Sequence, residues 1–118
     1  MPYVDGFIIA VPKKNVDAYK RMARKCAKVW KEHGALEVRE CIADDVKKGK
    51  LTSFPQAVKQ KPTETVFFSY IVYKSRRDRD RINAKAMSDP RLAGMETKDM
   101  PFDPKRMIFG GFKVVVDA

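Results

Sequence analysis

The chain has 118 residues, 44% of them apolar and 34% charged, which is the composition of a folded globular domain and excludes a disordered or collagen-like chain. Lysine and arginine outnumber aspartate and glutamate by 25 to 15, and the resulting net charge of +10 permits acidic partners without demonstrating one. Two cysteines are too few for a disulfide framework, no cysteine and histidine spacing indicates a metal site, and no apolar run is long enough to cross a bilayer.

The predicted elements begin with a strand over residues 3–11, where aromatic and β-branched side chains favour extended structure. An amphipathic helix follows over residues 14–33, with Val16, Tyr19, Trp30 and other apolar residues on one arc, cations on the opposite arc, and Gly34 as the usual C-cap. Residues 35–43 alternate as an edge strand does. In the long connection 44–64, Ser53 and Pro55 predict one short helix.

The second half of the chain repeats the order of strand, helix and strand. Strands are predicted over residues 65–73 and 106–116, and a helix over residues 75–88 ends ahead of Pro90, because a residue before proline avoids the α region. A turn over residues 91–95 is expected in the connection that follows. The order βαββαβ predicts a single α+β domain over residues 1–118 with a ferredoxin-like antiparallel sheet and both helices on one face.

The inner strands carry apolar residues on both faces, although helices are available for only one. In the strand over residues 65–73, one face holds Val66, Phe68, Tyr70 and Val72, and the other holds Phe67, Ile71 and Tyr73. A bare second face would be larger than the apolar patch that a typical monomer exposes. We therefore expect a homodimer in which two sheets pack face to face.

Eight short segments, spread over essentially the whole chain, form a specific combination. They are YVDGF (3–7), GA (34–35), EC (40–41), DV (45–46), FS (68–69), MSDPR (87–91), MPFD (100–103) and KRMIFGGF (105–112). Together they resemble domain-of-unknown-function family 1428. The resemblance implies a dimeric α+β barrel, a fold shared with small cofactor-independent monooxygenases, haem-degrading enzymes and isomerases. It implies no particular activity.

Two carboxylates stand on otherwise apolar strand faces and are the first candidates for catalysis. Asp5 shares its face with aromatic and aliphatic residues of the first strand, and Glu40 does so on the edge strand. A carboxylate in such a place is costly unless paired, and its pKa can rise into the range that is useful for proton transfer. The alternative is a structural ion pair with Arg39, Arg79 or Arg106.

Five further residues complete the candidate site. Asn83 and Arg79 lie on the inner side of the second helix, where an amide can orient an oxyanion and a guanidinium can bind a carboxylate. Alternatively, Asn83 ties down a loop and Arg79 extends along apolar surface to solvent. Arg106 is a further candidate catalytic residue, and Tyr70, Arg79 and Phe102 are candidate ligand contacts.

Other notable residues favour structural roles. His33, the one histidine, stands at a helix end and lacks companions that would make a metal site. Trp30 falls within the apolar stripe of the first helix and is expected in the core. Gly110 and Gly111 inside the last strand indicate a bulge, a close backbone approach or room for a ligand. We expect neither a metal nor a cofactor.

These features favour a basic homodimer that binds a small apolar or aromatic molecule between sheet and helices. The start of the chain lacks the basic region of a signal peptide, so a cytoplasmic location is expected, without a membrane partner. The sequence leaves open whether the ligand is only bound or is transformed by a cofactor-independent monooxygenase or isomerase. One alternative is binding of RNA or another polyanion by the basic helix surfaces; another is a structural or interaction protein without a ligand.

Overall fold

The residues described by a computed structural model of the chain, 1–93 and 100–118, form four β-strands and three α-helices. In chain order they are β1 (Tyr3–Pro12), α1 (Val16–His33), β2 (Glu37–Ile42), α2 (Phe54–Ala57), β3 (Glu64–Tyr73), α3 (Arg76–Met87) and β4 (Ile108–Lys113). Two 3₁₀ helices, Lys13–Asn15 and Pro104–Arg106, precede α1 and β4. Residues 90–93 form a turn, and the rest of the turn predicted over residues 91–95 lies outside the described residues.

The four strands form one sheet in the order β2-β3-β1-β4, and every neighbouring pair is antiparallel. With α1 between β1 and β2 and α3 between β3 and β4, this order confirms the predicted ferredoxin-like βαββαβ fold. In the register, Asp5 lies opposite Ile71 and Gly111, and Glu40 lies opposite Ser69. Asp5 is therefore on a central strand and Glu40 on an edge strand.

Both long helices pack on the same face of the sheet. Tyr19 and Ala23 of α1 lie in a buried cluster with Ile9, Val11 and Phe67, and Ile82 of α3 lies in another with Tyr3, Ala35 and Tyr73. Helix α1 ends at Gly34, which has a φ of 121° that favours glycine, and the N–H of Ala35 then donates to the carbonyl of Trp30. This cap turns the chain directly back into β2.

The opposite face of the sheet is covered only in part. Helix α2 begins after Ser53, whose Oγ accepts a hydrogen bond from the N–H of Gln56, as predicted for a short helix there. Val58, which follows α2, forms a third buried cluster with Ala10 and Val66. The uncovered part of this face exposes Phe68 by 44%, Ile108 by 42% and Phe112 by 64%.

The prediction of a strand over residues 106–116 was wrong at both ends, since β4 covers only Ile108–Lys113. The side chain of Asp103 accepts a hydrogen bond from the N–H of Lys105 and starts a 3₁₀ helix that includes Arg106. Beyond Lys113 the neighbouring strand β1 has ended, and the N–H of Val114 makes a last hydrogen bond to the carbonyl of Pro2. Apolar, β-branched residues do not form a strand without a partner strand.

No helix within the described residues is long and apolar enough to cross a membrane.

Candidate functional site

A cavity of about 550 Å³ lies between the sheet and helices α1 and α3. Small side chains leave this space, because Ser69 on β3 and Ala23 and Ala27 on α1 stand where larger residues would close the gap between helix and sheet. Most of the lining is apolar and includes Phe7, Ile9, Met22, Val38, Ile71 and Met107. The polar side chains of the lining include one group at an end near Glu40, another at an end near Asn83, and the pair Asp5 and Arg79.

At the first end, Tyr19 of α1 meets Glu40 of β2, and its hydroxyl donates to Oε1 of Glu40 over 2.7 Å. The ring of Tyr19 also meets Phe102 edge-on, with 5.8 Å between the ring centroids. We call Tyr19, Glu40 and Phe102 the Glu40 end of the cavity. Glu40 is reachable by water, yet its carboxyl stands among apolar side chains, and this desolvation raises its pKa, while the hydrogen bond from Tyr19 opposes the rise.

Replacing Glu40 by Gln is expected to remove a pH-dependent cost of folding. Because the folded-state pKa lies above the ordinary value of 4.5, wild-type stability should fall as the pH rises from 4.5 through that pKa. Glu40→Gln should therefore match the wild type below this window and exceed it above, by no more than about 1 kcal/mol because water screens the carboxylate. Chemical denaturation over a pH series measures the difference, and a constant difference between the two proteins would contradict the expectation.

At the second end, Asn83 of α3 accepts two hydrogen bonds through Oδ1, one from Nε1 of Trp30 and one from the hydroxyl of Tyr73, each of 3.0 Å. The indole N–H can only donate, so it fixes which side of the amide faces Trp30. The NH₂ group of Asn83 points the other way, and no protein acceptor for it occurs among the described residues. We call the lining residues Trp30 and Asn83, together with the buried Tyr73 that contacts Asn83, the Asn83 end of the cavity.

Asp5 forms the structural ion pair that was the alternative to catalysis. Nη1 of Arg79 donates to Oδ1 of Asp5 over 3.1 Å, Nη2 donates to the hydroxyl of Tyr3 over 3.3 Å, and the guanidinium lies 4.9 Å from the centre of the Tyr3 ring. The ring of Tyr3 in turn needs Gly111 on β4, since a Cβ atom there would come within 2.7 Å of a ring carbon. Asp5 and Arg79 thus line the cavity as a mutually neutralised pair.

Two sequence candidates lie outside the cavity. Tyr70 is on the opposite face of the sheet, where its ring lies 6.2 Å from that of Phe68, because side chains alternate along β3. Arg106 belongs to the 3₁₀ helix before β4. Its Nη1 donates to Oε1 of Glu64 over 2.9 Å, and its Nη2 donates to Oε2 over 2.6 Å. Of the candidates, Asp5, Glu40, Arg79, Asn83 and Phe102 line the cavity.

The sequence reasoning missed the roles of Trp30 and Tyr19. Trp30 was expected to be a core residue, but its indole N–H orients Asn83 and the residue lines the cavity. Tyr19 was recognised only as part of the inner stripe of α1. A hydroxyl and an indole N–H in an apolar stripe both need hydrogen-bond partners, and this requirement was the available signal for a polar site beneath α1.

The outer side of α1 is basic, as the helical pattern predicted. Exposed cations there include Arg21, Arg24, Lys25, Lys28 and Lys31. Lys20 and Arg24 also line a smaller pocket of about 270 Å³, which shares Tyr19 and Glu40 with the main cavity. This pocket lies beside the Glu40 end, and neither cation forms an ion pair with Glu40 within the described residues.

The residues around His33 form a surface network apart from the cavity. Nε2 of His33 lies 2.9 Å from Oδ2 of Asp89, and Arg91 binds the same carboxylate. These hydrogen bonds, those from Arg91 first, hold the pKa of Asp89 well below its ordinary value. No group of three or more histidine, cysteine, aspartate or glutamate side chains suited to a metal ion occurs within residues 1–93 and 100–118.

Comparison with known families identifies the sequence. The family model described as "Protein of unknown function (DUF1428)" matches residues 2–104, and the chain belongs to this family, as the resemblance of its short segments indicated. The uncharacterized protein YbaA of Escherichia coli (strain K12) is 52% identical over 117 residues, which are 99% of both chains. YbaA of Shigella flexneri is also 52% identical over 117 residues.

Two solved structures share the fold at low sequence identity. A putative antibiotic biosynthesis monooxygenase from Nitrosomonas europaea aligns with a TM-score of 0.63 and 15% identity, over 97% of this chain and 90% of its own. A dimeric ferredoxin-like protein from an uncultured marine organism aligns with a TM-score of 0.56 and 15% identity, over the full length of both chains. At this identity the likeness establishes the ferredoxin-like fold and nothing further.

Proposed function

We propose that this member of the DUF1428 family binds a small, elongated, largely apolar molecule in the cavity between its sheet and helices. The observation that carries the proposal is the distribution of polar groups in an otherwise apolar cavity of about 550 Å³. A carboxylate stands at the Glu40 end and an amide NH₂ stands at the Asn83 end. Apolar walls with a few placed polar groups are typical of small-molecule sites.

The distance between the two ends sets the length of the ligand. Glu40 lies opposite Ser69 on β3, and Tyr73 follows Ser69 by four residues. The Cα atoms of Ser69 and Tyr73 are therefore about 13 Å apart. Side chains from both ends reach into the cavity, so a ligand that contacts both ends is shorter than this distance. Two fused rings with a short substituent fit this span, whereas a single ring contacts only one end.

A reaction is compatible with this site if Glu40 accepts a proton from the ligand. A base in an apolar site needs a pKa near the working pH, and burial moves the pKa of Glu40 upward. The NH₂ group of Asn83 would then stabilise negative charge on a ligand oxygen. A cofactor-independent isomerase or monooxygenase is therefore our extended proposal, and the name of the Nitrosomonas europaea protein, a monooxygenase, accords with it.

Filling the cavity tests the binding proposal. Ala27→Leu adds three carbon atoms to a helix residue that lines the cavity and should weaken binding of β-naphthylethanol at least about tenfold, since each 1.4 kcal/mol of lost contact is a factor of ten. Isothermal titration calorimetry measures the dissociation constant. The matched control is Ala84→Leu, the same change at an exposed position of α3.

The control must retain wild-type affinity. If both variants bind the naphthyl probe as the wild type does, the probe does not occupy the cavity and the proposal is wrong. The same holds if the wild type binds no naphthyl probe.

We also propose that the chain forms a homodimer through the uncovered part of the sheet. Three large apolar side chains, Phe68, Ile108 and Phe112, are exposed together on a face that carries no long helix. Phe54 of α2 borders them, with its ring 6.1 Å from that of Phe68. A second copy offers the same patch, so a twofold arrangement covers both. The marine protein of the same fold is described as dimeric, which supports a second copy of this chain as the partner.

A further inference from the structure

We propose that the ligand carries an ammonium group, held at the Glu40 end between the carboxylate of Glu40 and the rings of Tyr19 and Phe102. This inference rests on the proposed binding function and specifies the chemical class of the ligand. It is carried by the Glu40 carboxylate, which pairs with no cation among the described residues, and by the aromatic rings next to it.

Within residues 1–93 and 100–118, one charged group of the cavity lining, the carboxylate of Glu40, has no ion-pair partner. Asp5, Glu40 and Arg79 are the carboxylates and the guanidinium of its lining, and Arg79 is paired with Asp5 at 3.1 Å. The Glu40 carboxylate has the hydroxyl of Tyr19 as the one hydrogen-bond partner found within the described residues, at Oε1. Apolar side chains around part of the Glu40 carboxyl lower the local polarity, and this strengthens the attraction between the carboxylate and a cation.

Aromatic rings lie next to the contact between Tyr19 and Glu40. Tyr19 contacts Glu40 with its hydroxyl, and its ring packs edge-on against Phe102 and at a tilt against Phe67. Ring faces carry negative electrostatic potential and attract ammonium groups, more strongly where water is displaced. A carboxylate beside aromatic rings therefore binds a cation in two ways that act together.

The positive charge of the protein opposes cation binding in general, so a preference for an ammonium group has to come from Glu40 itself. The chain carries a net charge of +10, and its exposed cations would draw anions to most of its surface. Lys20 and Arg24 lie in the neighbouring pocket and face solvent. They reduce the negative potential at Glu40 without pairing with it. An anionic ligand would have to approach Glu40 directly and would be repelled.

The preference for an ammonium group should increase with pH. Among residues 1–93 and 100–118, the other titratable or charged groups near Glu40 are Tyr19, Lys20, Arg24 and Cys26 of α1, and the Asp5–Arg79 pair also lines the cavity. Burial raises the pKa of both Tyr19 and Cys26, so neither becomes an anion before Glu40 does. The cation site then forms when the carboxyl of Glu40 ionises, which occurs at a pH above 4.5 because its pKa is raised.

Three probes that share one ring system and differ in their terminal polar group test the inference. β-Naphthylethylamine, β-naphthylethanol and β-naphthylacetic acid present an ammonium, a hydroxyl and a carboxylate on the same naphthalene ring. At neutral pH the amine should bind the wild type at least about tenfold more tightly than the acid, which corresponds to 1.4 kcal/mol, with the alcohol between them. Glu40→Gln should abolish the preference for the amine while it leaves the alcohol within about twofold.

Glu37→Gln is the matched control, because Glu37 lies on the same strand, faces away from the cavity and pairs with Arg39 at 2.6 Å. It should keep the wild-type order of affinities. Equal binding of all three probes by the wild type, or an unchanged preference in Glu40→Gln, would overturn the inference and leave the cavity as a binding site. Absence of binding by all three probes would overturn the proposed function as well.

Discussion

Phe67→Asp is expected to unfold the protein, whereas Phe68→Asp, one residue further along β3, should leave it folded and monomeric. Phe67 is 2% exposed and packs against Tyr19, with 4.4 Å between the ring centroids. Removing a buried phenylalanine costs about 3–5 kcal/mol, and the introduced carboxylate adds a desolvation cost of several kcal/mol. A small domain is stable by about 5–15 kcal/mol, so this single change removes most or all of the stability.

The neighbouring substitution acts on association, because successive side chains of a strand point to opposite faces. Phe68 is 44% exposed in the monomer, so its replacement by Asp has little effect on folding. In a twofold dimer the change occurs twice, and at about 2 kcal/mol for each copy the dissociation constant should rise roughly a thousandfold. Sedimentation at micromolar concentration measures the mass, and circular dichroism confirms that the variant is folded.

The control for this pair is Leu51→Asp, which places the same charge on a residue that is 99% exposed and lies outside the sheet. It should remain folded and associate as the wild type does. A wild-type protein that sediments at 13.5 kDa, or a Phe68→Asp variant that remains dimeric, would contradict a dimer through this face.

The fold could be predicted from the sequence because its signals are local. The helical stripe of α1 places Tyr19 and Ala23 on one side, Gly34 ends the helix, and the order of the elements then leaves few topologies. The cavity depends on contacts between residues that are distant in the sequence. Strand alternation separates Tyr70 from Ile71, but both faces of β3 are apolar, so the pattern does not tell which face carries the helices. Tyr70 was accordingly assigned to the wrong side.

The hydrogen bonds of the site were beyond prediction for a related reason. The contact between Tyr19 and Glu40 joins a helix to an edge strand, and it requires the register in which Glu40 lies opposite Ser69. That register is set by the whole pairing of β2 with β3, which no short segment encodes. Arg106 was misplaced by a local conflict instead, because the Asp103–Pro104 turn signal competes with the β-propensity of the residues that follow.

Breaking the ion pair between Arg106 and Glu64 should destabilise the fold by about 3–5 kcal/mol, the second large effect that we expect. Glu64 is 3% exposed and receives two hydrogen bonds from the guanidinium of Arg106 and one from the N–H of Lys61. Arg106 also donates to the carbonyls of Val58 and Lys59. The pair and these hydrogen bonds therefore connect the segment after α2, the start of β3 and the 3₁₀ helix before β4.

Arg106→Met removes the charge and keeps most of the length of the side chain. The variant leaves the Glu64 carboxylate buried without its main partner, and this uncompensated charge accounts for most of the cost. The double variant Glu64→Leu/Arg106→Met removes both charges and should recover more than half of the loss, since an apolar pair of similar volume replaces a buried ion pair at little cost. Chemical denaturation of the three proteins gives the free energies of unfolding.

The pH dependence separates this charge effect from a loss of packing. Hydrogen bonds from Arg106, the largest cause, hold the pKa of Glu64 below its ordinary value of 4.5. The stability that this pair gives the wild type is therefore fully present above pH 4.5 and is lost as the pH falls through the lowered pKa. Arg106→Met removes the largest cause of the lowered pKa of Glu64, so the variant should lose much less stability than the wild type on acidification. The difference between wild type and Arg106→Met should therefore be largest near neutral pH and narrow on acidification. A difference that stays constant over this range would mean that Arg106 stabilises the protein through its packing and its bonds to the Val58 and Lys59 carbonyls, and that the ion pair contributes little.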